Sequence, residues 1–394
     1  MSGSPRPLAG ARTAPGGGPA AQAWTPHEQP RAPARLDSLD VVRVLTVALV
    51  IAVHVLAQQP GGVTLSNGAP LIVLHVSREV FFLLTAFVLV YSHRDRAPSR
   101  WWAFWRRRYL LVGAPYLLWS AVYFLAGGEP LHPVGEALSG FAADLLSGAA
   151  RYHLYFLLVT MQVYLVFPLL RRLLTATRGR HGWLLAGAAV YQVGCYTAVQ
   201  RASVPGLGDP SAYLPSYLGF VVAGGVAAWH AETLMRWTLE RMWWVFAGCA
   251  LAVAAGVAVF FVRASELGQP PVLASAVFQP VVVVESVAVA WAFLACGVAW
   301  QRRRAPGRRL VRSASDASFG VYLAHPLLLQ GLLAVCAATG LTAVAQRQPG
   351  PLVTAVAMAV VPLVYLACWA AVAVALRTPL SLALTGRPRR GTRG

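Results

Sequence analysis

Two ionisable residues, Arg43 and His54, lie inside the first long apolar run of the chain, residues 41–56. They are eleven positions apart, so on an α-helix they share nearly one face and lie about 16 Å apart along the axis. Ionisable side chains are costly in lipid, so this pair indicates function. An imidazole can take a proton from an attacking hydroxyl, and a guanidinium can hold an anion. The alternative is that Arg43 extends to the headgroups and His54 is a packing residue.

A second charged pair stands near the start of another apolar run. Arg78 and Glu79 are consecutive, so on a helix their side chains point about 100° apart and cannot simply pair on one face. We therefore expect each of them to have a partner on another helix. Arg78 is predicted to lie at nearly the depth of His54. A structural ion-pair network without a catalytic role is the alternative interpretation.

Four further polar residues are candidates for supporting roles. His153 and Tyr155 open the fourth apolar run, at the outer boundary of the membrane, where interfacial packing is an equally good interpretation. Glu285 lies in the middle of the eighth run and is either a counter-ion for an arginine or a proton-handling group. His325 is predicted about two turns into the ninth run, nearer the cytoplasmic side. The candidate residues are thus expected to span the membrane instead of lying at one depth.

Composition shows which elements must position these residues. The chain has 394 residues, is 57% hydrophobic and only 12% charged, and has a mean hydropathy of +0.57. Soluble domains carry about 25% charged residues, and lipid leaves only helices as a plausible spanning element here. We therefore predict an all-α bundle of about ten transmembrane helices. The predicted spans are 39–58, 71–91, 109–126, 153–170, 183–199, 213–230, 243–262, 277–299, 318–338 and 352–376, and the weaker segment 133–150 is expected as an interfacial helix.

The basic residues indicate how the chain is oriented. All 33 are arginines, of which 27 fall in alternate segments between the predicted spans, four in the remaining loops and two inside spans. Arginine is enriched on the cytoplasmic side of membrane proteins, so both termini are predicted to be cytoplasmic. This distribution also argues against nucleic-acid binding. The predicted domains are a disordered Pro/Gly/Arg-rich cytoplasmic tail (1–35), a membrane domain (36–376) and a basic cytoplasmic tail (377–394).

The cysteines do not indicate a metal site or a disulfide framework. The chain has five, an odd number, and none forms a Cys-x-x-Cys pair. All of them lie in apolar runs, where a cysteine usually packs as a small hydrophobic residue. The N-terminal 35 residues contain no apolar stretch, so we do not expect a signal peptide there.

Five short motifs occur in order along the chain. They are Arg43 with His54, Arg78-Glu79-Val80-Phe81-Phe82, Arg107-Arg108-Tyr109 followed by Pro115-Tyr116, Tyr152-His153-Leu154-Tyr155-Phe156, and Ser318-Phe319-Gly320-Val321-Tyr322-Leu323-Ala324-His325-Pro326. With these motifs the chain resembles the acyltransferase 3 family of membrane O-acyltransferases over residues 36–376. It departs from the family at Thr85-Ala86, where Ser-Gly is common, and at Arg106-Arg107-Arg108, which does not reproduce an Arg-x-x-Arg spacing. The sequence shows no soluble catalytic domain after residue 376, so we do not expect a lipase-like domain.

The resemblance implies transfer of an acyl group, with acetyl expected, from cytoplasmic acyl-CoA to a hydroxyl of a glycan, glycolipid or other small acceptor. His54 would be the general base, and a mechanism with an acyl-His intermediate is the alternative. Arg78 would either bind the developing oxyanion or orient Glu79. Acyl-CoA is a co-substrate, and no bound cofactor or metal is expected. Arg43, Arg107 and Arg108 would bind the donor, while His153, Tyr155, Glu285 and His325 would lie on the acceptor side or support the site.

The expected location is the cell membrane, with O-acetylation of a cell-envelope acceptor. A transporter or flippase of a polar or lipid-linked substrate is the main alternative, because it too needs buried charges and a polar path. The sequence shows no inverted repeat of the kind that many transporters contain. A sensor or scaffold would not need the Arg43–His54 pair. Acyl-CoA separates these classes, since only an acyltransferase would release CoASH from it.

Overall fold

A computed structural model describes residues 35–94, 101–128, 133–201 and 209–389 of the chain. These residues belong to one compact unit. Within them every regular element is helical and no strand occurs, as expected where lipid offers no partner for open backbone groups. The predicted all-α membrane bundle is confirmed. Most of the predicted N-terminal tail, residues 1–34, lies outside the described residues.

Sixteen α-helices follow one another along the described residues. Long apolar helices alternate with short surface helices, and short 3₁₀ turns precede α8. The helices are α1 Ser38–Ala57, α2 Leu65–Leu74, α3 Ser77–His93, α4 Trp101–Ala126, α5 Val134–Ser147, α6 Tyr155–Ala176, α7 His181–Arg201, α8 Leu218–Trp229, α9 Ala231–Glu240, α10 Met242–Phe261, α11 Pro271–Ala274, α12 Pro280–Arg302, α13 Arg308–Ala338, α14 Leu341–Gln346, α15 Gly350–Ala375 and α16 Ser381–Thr385.

The number of membrane crossings is close to the predicted ten. Eight helical segments of the described chain are long and apolar enough to cross a membrane. A ninth is added if α8 and α9 together form one span, although they bend by 87° where they meet. Helix α7, which covers the predicted fifth span, has 21 residues but does not belong to this set. That α7 crosses the membrane, and that both termini are cytoplasmic, stay predictions.

Two helix boundaries differ from the predicted spans in ways that matter for the site. The predicted span 71–91 consists of two helices, α2 and α3, which meet at His75 and Val76. Helix α13 begins at Arg308, well before the predicted start at residue 318, and has 31 residues. Its first turns carry arginines and polar residues, so an apolar run does not reveal them. His325 therefore lies near the middle of a long helix.

Helix α1 is the central element of the bundle, since it contacts α2, α3, α12, α13 and α15. Its side chains Ile51 and Leu56 are fully buried. Glycines allow the closest approaches between helices, as is common in membrane bundles. Gly297 of α12 packs against the Ser38 carbonyl, and Gly224 of α8 packs against the Leu83 carbonyl of α3.

The close approach of α3 and α8 is open to a direct test. Replacing Gly224 with Leu should force the two backbones apart, because an added side chain would meet the Leu83 carbonyl. Overpacking of this kind typically costs about 1–3 kcal/mol. We expect a lower thermal unfolding temperature in detergent. Gly248 of α10 has open space around it, so Gly248→Leu is the matched control, and equal unfolding temperatures for the two variants would contradict this packing.

Candidate active site

A cavity of about 290 Å³ lies between α1, α3, α13 and the turn that precedes α6. We call it the histidine cavity. Its lining combines apolar residues with polar side chains from several helices, which is typical of a substrate site. The polar and aromatic residues that line it are His54, Gln58, His75, Ser77, Arg78, Tyr152, His153, Tyr155, Phe156 and Tyr322.

Three histidine rings cluster here: His54 and His153 line the cavity, and His325, which does not line it, contacts both of them. The His54 ring lies 5.2 Å from the His325 ring and 4.5 Å from the Tyr152 ring, measured between centroids. The His153 ring lies 5.4 Å from that of His325. The prediction that His325 lies nearer the cytoplasmic side, apart from the other candidates, is therefore wrong. The longer α13 carries it to the depth of His54.

The backbone of α13 orients one of these rings, and a hydroxyl of α13 anchors the turn that carries another. The Nδ1 atom of His325 lies 2.7 Å from the Tyr322 carbonyl. Because a carbonyl only accepts, Nδ1 carries the proton and Nε2 is left as an acceptor, with no hydrogen-bond partner among the described residues. The Tyr322 hydroxyl donates in turn to the His153 carbonyl. Neither ring nitrogen of His153 has a hydrogen-bond partner among the described residues.

Arg78 lines the same cavity, and its neighbour Glu79 is fully buried beside it. The Arg78 guanidinium donates to the Tyr155 and Ser211 hydroxyls, at 3.1 Å each. Glu79 is fully buried and accepts from the Tyr196 hydroxyl of α7 at 2.8 Å. Each residue thus has a partner on another element, as predicted. They were predicted not to pair simply on one face of the helix, but the long Arg78 side chain also reaches Glu79 Oε1 at 3.4 Å.

Three residues at the histidine cavity were not predicted as candidates. Tyr152 contacts the His54 ring and accepts a hydrogen bond from the Gln58 amide at 2.8 Å. His75 stands at the break between α2 and α3, and its Nδ1 lies 2.9 Å from the Ser275 carbonyl. Tyr152 could have been found from its place beside His153 in the fourth motif. Gln58 gives no such signal, because a glutamine just after an apolar run is usual in a loop.

A second cavity, of about 240 Å³, lies on the side of α1 that carries Arg43. We call it the arginine cavity. Helices α3, α4, α6 and α13 and the segment around α16 form the rest of its wall. The charged and polar residues that line it are Arg43, Thr85, Arg108, Thr160, Tyr164, Ser315, Asp316, Ser318, Tyr322, Thr385 and Arg387.

A polar network holds Arg43 at the edge of this cavity. Its guanidinium lies 3.5 Å from Asp40, one turn earlier on α1, and 3.4 Å from the Ser315 hydroxyl of α13. Ser315 donates to the same carboxylate at 2.7 Å, and Arg35 pairs with it at 2.6 Å. The i, i+3 spacing of Asp40 and Arg43 could have indicated this pair from the sequence. Ser315 could not have been found, because it lies far along the chain.

The arginine run on α4 contributes one member to the cavity. Arg108 lines it, with its guanidinium carbon 5.6 Å from the centre of the Tyr164 ring and 5.7 Å from that of Phe104. Such stacking holds a guanidinium in place while its edge stays free to bind an anion. Arg107 is exposed and does not line the cavity.

Two aromatic residues separate the cavities. Phe156 and Tyr322 line both of them, and each side chain is about 5% exposed. Arg43 lines one cavity and His54 the other. Because both residues lie on α1, the cavities are stacked along this helix, and the two backbone positions are separated by about 16 Å along its axis.

Glu285 is buried in α12 and lines neither cavity. Its carboxyl lies against Gly256 of α10, and neither oxygen has a hydrogen-bond partner among the described residues. This surrounding does not support the predicted role as a counter-ion for an arginine, and the alternative of a proton-handling group stays a prediction. In the part of the chain that the structure describes, no group of three His, Cys, Asp or Glu side chains is placed to hold a metal ion.

Comparisons with known proteins agree with this architecture. A family model described as an acyltransferase domain, that of acyltransferase 3, matches residues 36–373. The chain is 31% identical over 184 residues to the acyltransferase MdmB of Streptomyces mycarofaciens, which covers 41% of this chain and 46% of the relative. The chain thus spans about half the length of this curated relative. No solved structure matches. Because the family model covers most of the chain, the protein belongs to the acyltransferase 3 family of membrane acyltransferases.

Proposed function

We propose that this acyltransferase takes its acyl group, expected to be acetyl, from cytoplasmic acyl-CoA and places it on a hydroxyl of a glycan, glycolipid or other small acceptor. The observation that carries this proposal is the pair of stacked cavities, one with arginines and one with histidines, joined by α1. The arginine cavity suits the phosphates of the donor, and the histidine cavity suits the chemistry of transfer.

Donor binding is assigned to Arg43 and Arg108. Both guanidiniums line the arginine cavity, and both are held by contacts that leave part of their edge free. Guanidiniums bind phosphate oxygens through paired hydrogen bonds. Arg107 was predicted to belong to this set, but its exposed position outside the cavity places it outside our donor site.

Acyl transfer is assigned to the histidine cavity. His54 takes the proton of the acceptor hydroxyl while the oxygen attacks the thioester carbonyl. The resulting tetrahedral oxyanion is stabilised by Arg78, which is oriented by Tyr155 and Glu79. When the carbon–sulfur bond breaks, the proton on His54 passes to the departing thiolate, which leaves as CoASH. A variant in which the acyl group first bonds to His54 uses the same contacts.

The other histidines have supporting roles in this scheme. The free Nε2 of His325 belongs to a ring stacked on His54, and can orient or share its proton. His153 holds the far side of the His325 ring. To reach His54, the thioester arm of a donor bound at Arg43 has to pass between Phe156 and Tyr322. The scheme therefore needs these two rings to move apart during each reaction.

The proposed setting is the cell membrane, with both termini and the arginine cavity on the cytoplasmic side. The arginine bias of the loops supports this orientation. An O-acetylated cell-envelope molecule is the acceptor class that we propose. The alternative of a transporter or flippase would use the same two cavities, but it would neither bind acyl-CoA nor release CoASH.

The role of His54 is tested by His54→Ala. Loss of a general base typically lowers the rate by about 10²–10⁴-fold, while acetyl-CoA binding and folding should be retained. Release of CoASH from acetyl-CoA is measured in membrane vesicles of the producing cells, which contain the natural acceptor, and is divided by the amount of folded protein. His181, paired with His230 away from both cavities, provides the control His181→Ala. A His54→Ala protein with nearly wild-type specific activity would end this mechanism.

The donor assignment is tested by comparing two neighbouring arginines. Arg108→Ala should weaken acetyl-CoA binding by about ten-fold or more, because a charged hydrogen bond to phosphate is lost. Arg107→Ala should leave the affinity nearly unchanged, since this side chain points away from the cavity. Binding is measured by calorimetry on purified protein at low ionic strength, where charge contributes most. An equal loss of acetyl-CoA affinity in both variants would show that the arginine cavity is not the donor site.

A further inference from the structure

The segment that follows α15 forms part of the wall of the arginine cavity. Helix α16 packs against α4 and α13, and the Trp119 indole donates to the Leu384 carbonyl at 3.1 Å. Gly386 has φ 66° and lies against the Phe319 ring, where an added side chain would clash. Residues 385–387 therefore line the cavity, although they belong to the predicted basic tail and lie beyond residue 373, where the family match ends.

This segment brings a third guanidinium to the cavity. Arg387 pairs with Asp316 of α13 at 3.0 Å, and Asp316 also accepts from Arg35 at 3.1 Å. The side chain of Arg387 is 42% exposed, so donors remain free beside the ion pair. Asp316, which is only 16% exposed, fixes the side of the cavity on which the guanidinium stands.

The charges around the cavity are unbalanced. Arg43, Arg108 and Arg387 line it, and Asp316 is the one carboxylate among its lining residues in the described chain. Asp40 pairs with Arg43 and also with Arg35, so it does not neutralise Arg43 alone. Like charges held close together in a partly buried site repel, and an anion with several negative oxygens relieves this repulsion. The arrangement therefore fits a ligand that carries phosphate groups.

We propose that Arg387 is a phosphate-binding residue of the donor site, supplied by the C-terminal segment and held by Asp316. This inference rests on the proposed function, because it takes acyl-CoA as the donor. It assigns the recognition of the donor's phosphates to three elements, α1, α4 and the segment after α16. Arg389 is a natural control, since its side chain donates to the Arg377 carbonyl at 3.1 Å and does not line the cavity.

The test uses purified full-length protein and two donors. Acetyl-CoA carries the phosphates, and S-acetylpantetheine has the same thioester arm without them. Arg387→Gln should weaken acetyl-CoA binding by about ten-fold or more and leave S-acetylpantetheine binding unchanged. Turnover at saturating acetyl-CoA should stay close to wild type, because the reacting groups are not altered. Arg389→Gln should change neither affinity.

Three results would overturn the inference. In the first, Arg387→Gln binds acetyl-CoA as tightly as Arg389→Gln does. In the second, Arg387→Gln loses affinity for acetyl-CoA and for S-acetylpantetheine equally, which would make the segment a structural support only. If Arg387→Gln does not fold, Arg387→Lys is the deciding variant, because it keeps the charge but loses the paired hydrogen bonds of the guanidinium. We then expect weaker acetyl-CoA binding, and the third contradicting result is unchanged binding by Arg387→Lys. A failure of the proposed function is seen separately, as wild-type protein that neither binds acetyl-CoA nor releases CoASH.

Discussion

The pairing of Arg43 and His54 on one face of α1 is the constraint on which the rest of the structure depends. An ionisable group inside a membrane bundle needs polar surroundings, so the neighbouring helices must supply them at two depths. Near Arg43 these are Asp40 and the Ser315 hydroxyl. Near His54 they are aromatic and histidine rings from α13 and from the turn before α6. The two cavities are the spaces that these surroundings leave open.

Helix α13 serves both ends of this arrangement. Its first turns carry Ser315 and Asp316 to the arginine cavity, and its middle carries Tyr322 to the histidine cavity and His325 to the His54 ring. One continuous helix thus sets the distance between the groups that would bind the donor and the groups that would carry out the transfer. Helix α1 likewise carries Arg43 to the arginine cavity and His54 to the histidine cavity. The site is therefore held between two long rigid elements, which is how preorganised sites keep their geometry.

The sequence predicted those features that depend on a single helix or on composition. The spacing of Arg43 and His54, the helical class and most of the long helices follow from periodicity and hydropathy. The sequence could not place His325, because the polar first turns of α13 lack the apolar signal that marks a span. It also missed Ser315 and the cavity-lining role of Arg387, since both act through contacts between distant parts of the chain. Long-range packing, which has no local signature, decides those positions.

The aromatic partition divides the space along α1. If the two cavities were continuous, one polar space would run along α1 from Arg43 to His54. Phe156 packs against the rings of Phe81 and Phe82, and Tyr322 is anchored to the His153 carbonyl. These contacts keep the barrier shut in the resting protein. A continuous polar space along α1 is thereby interrupted by two side chains.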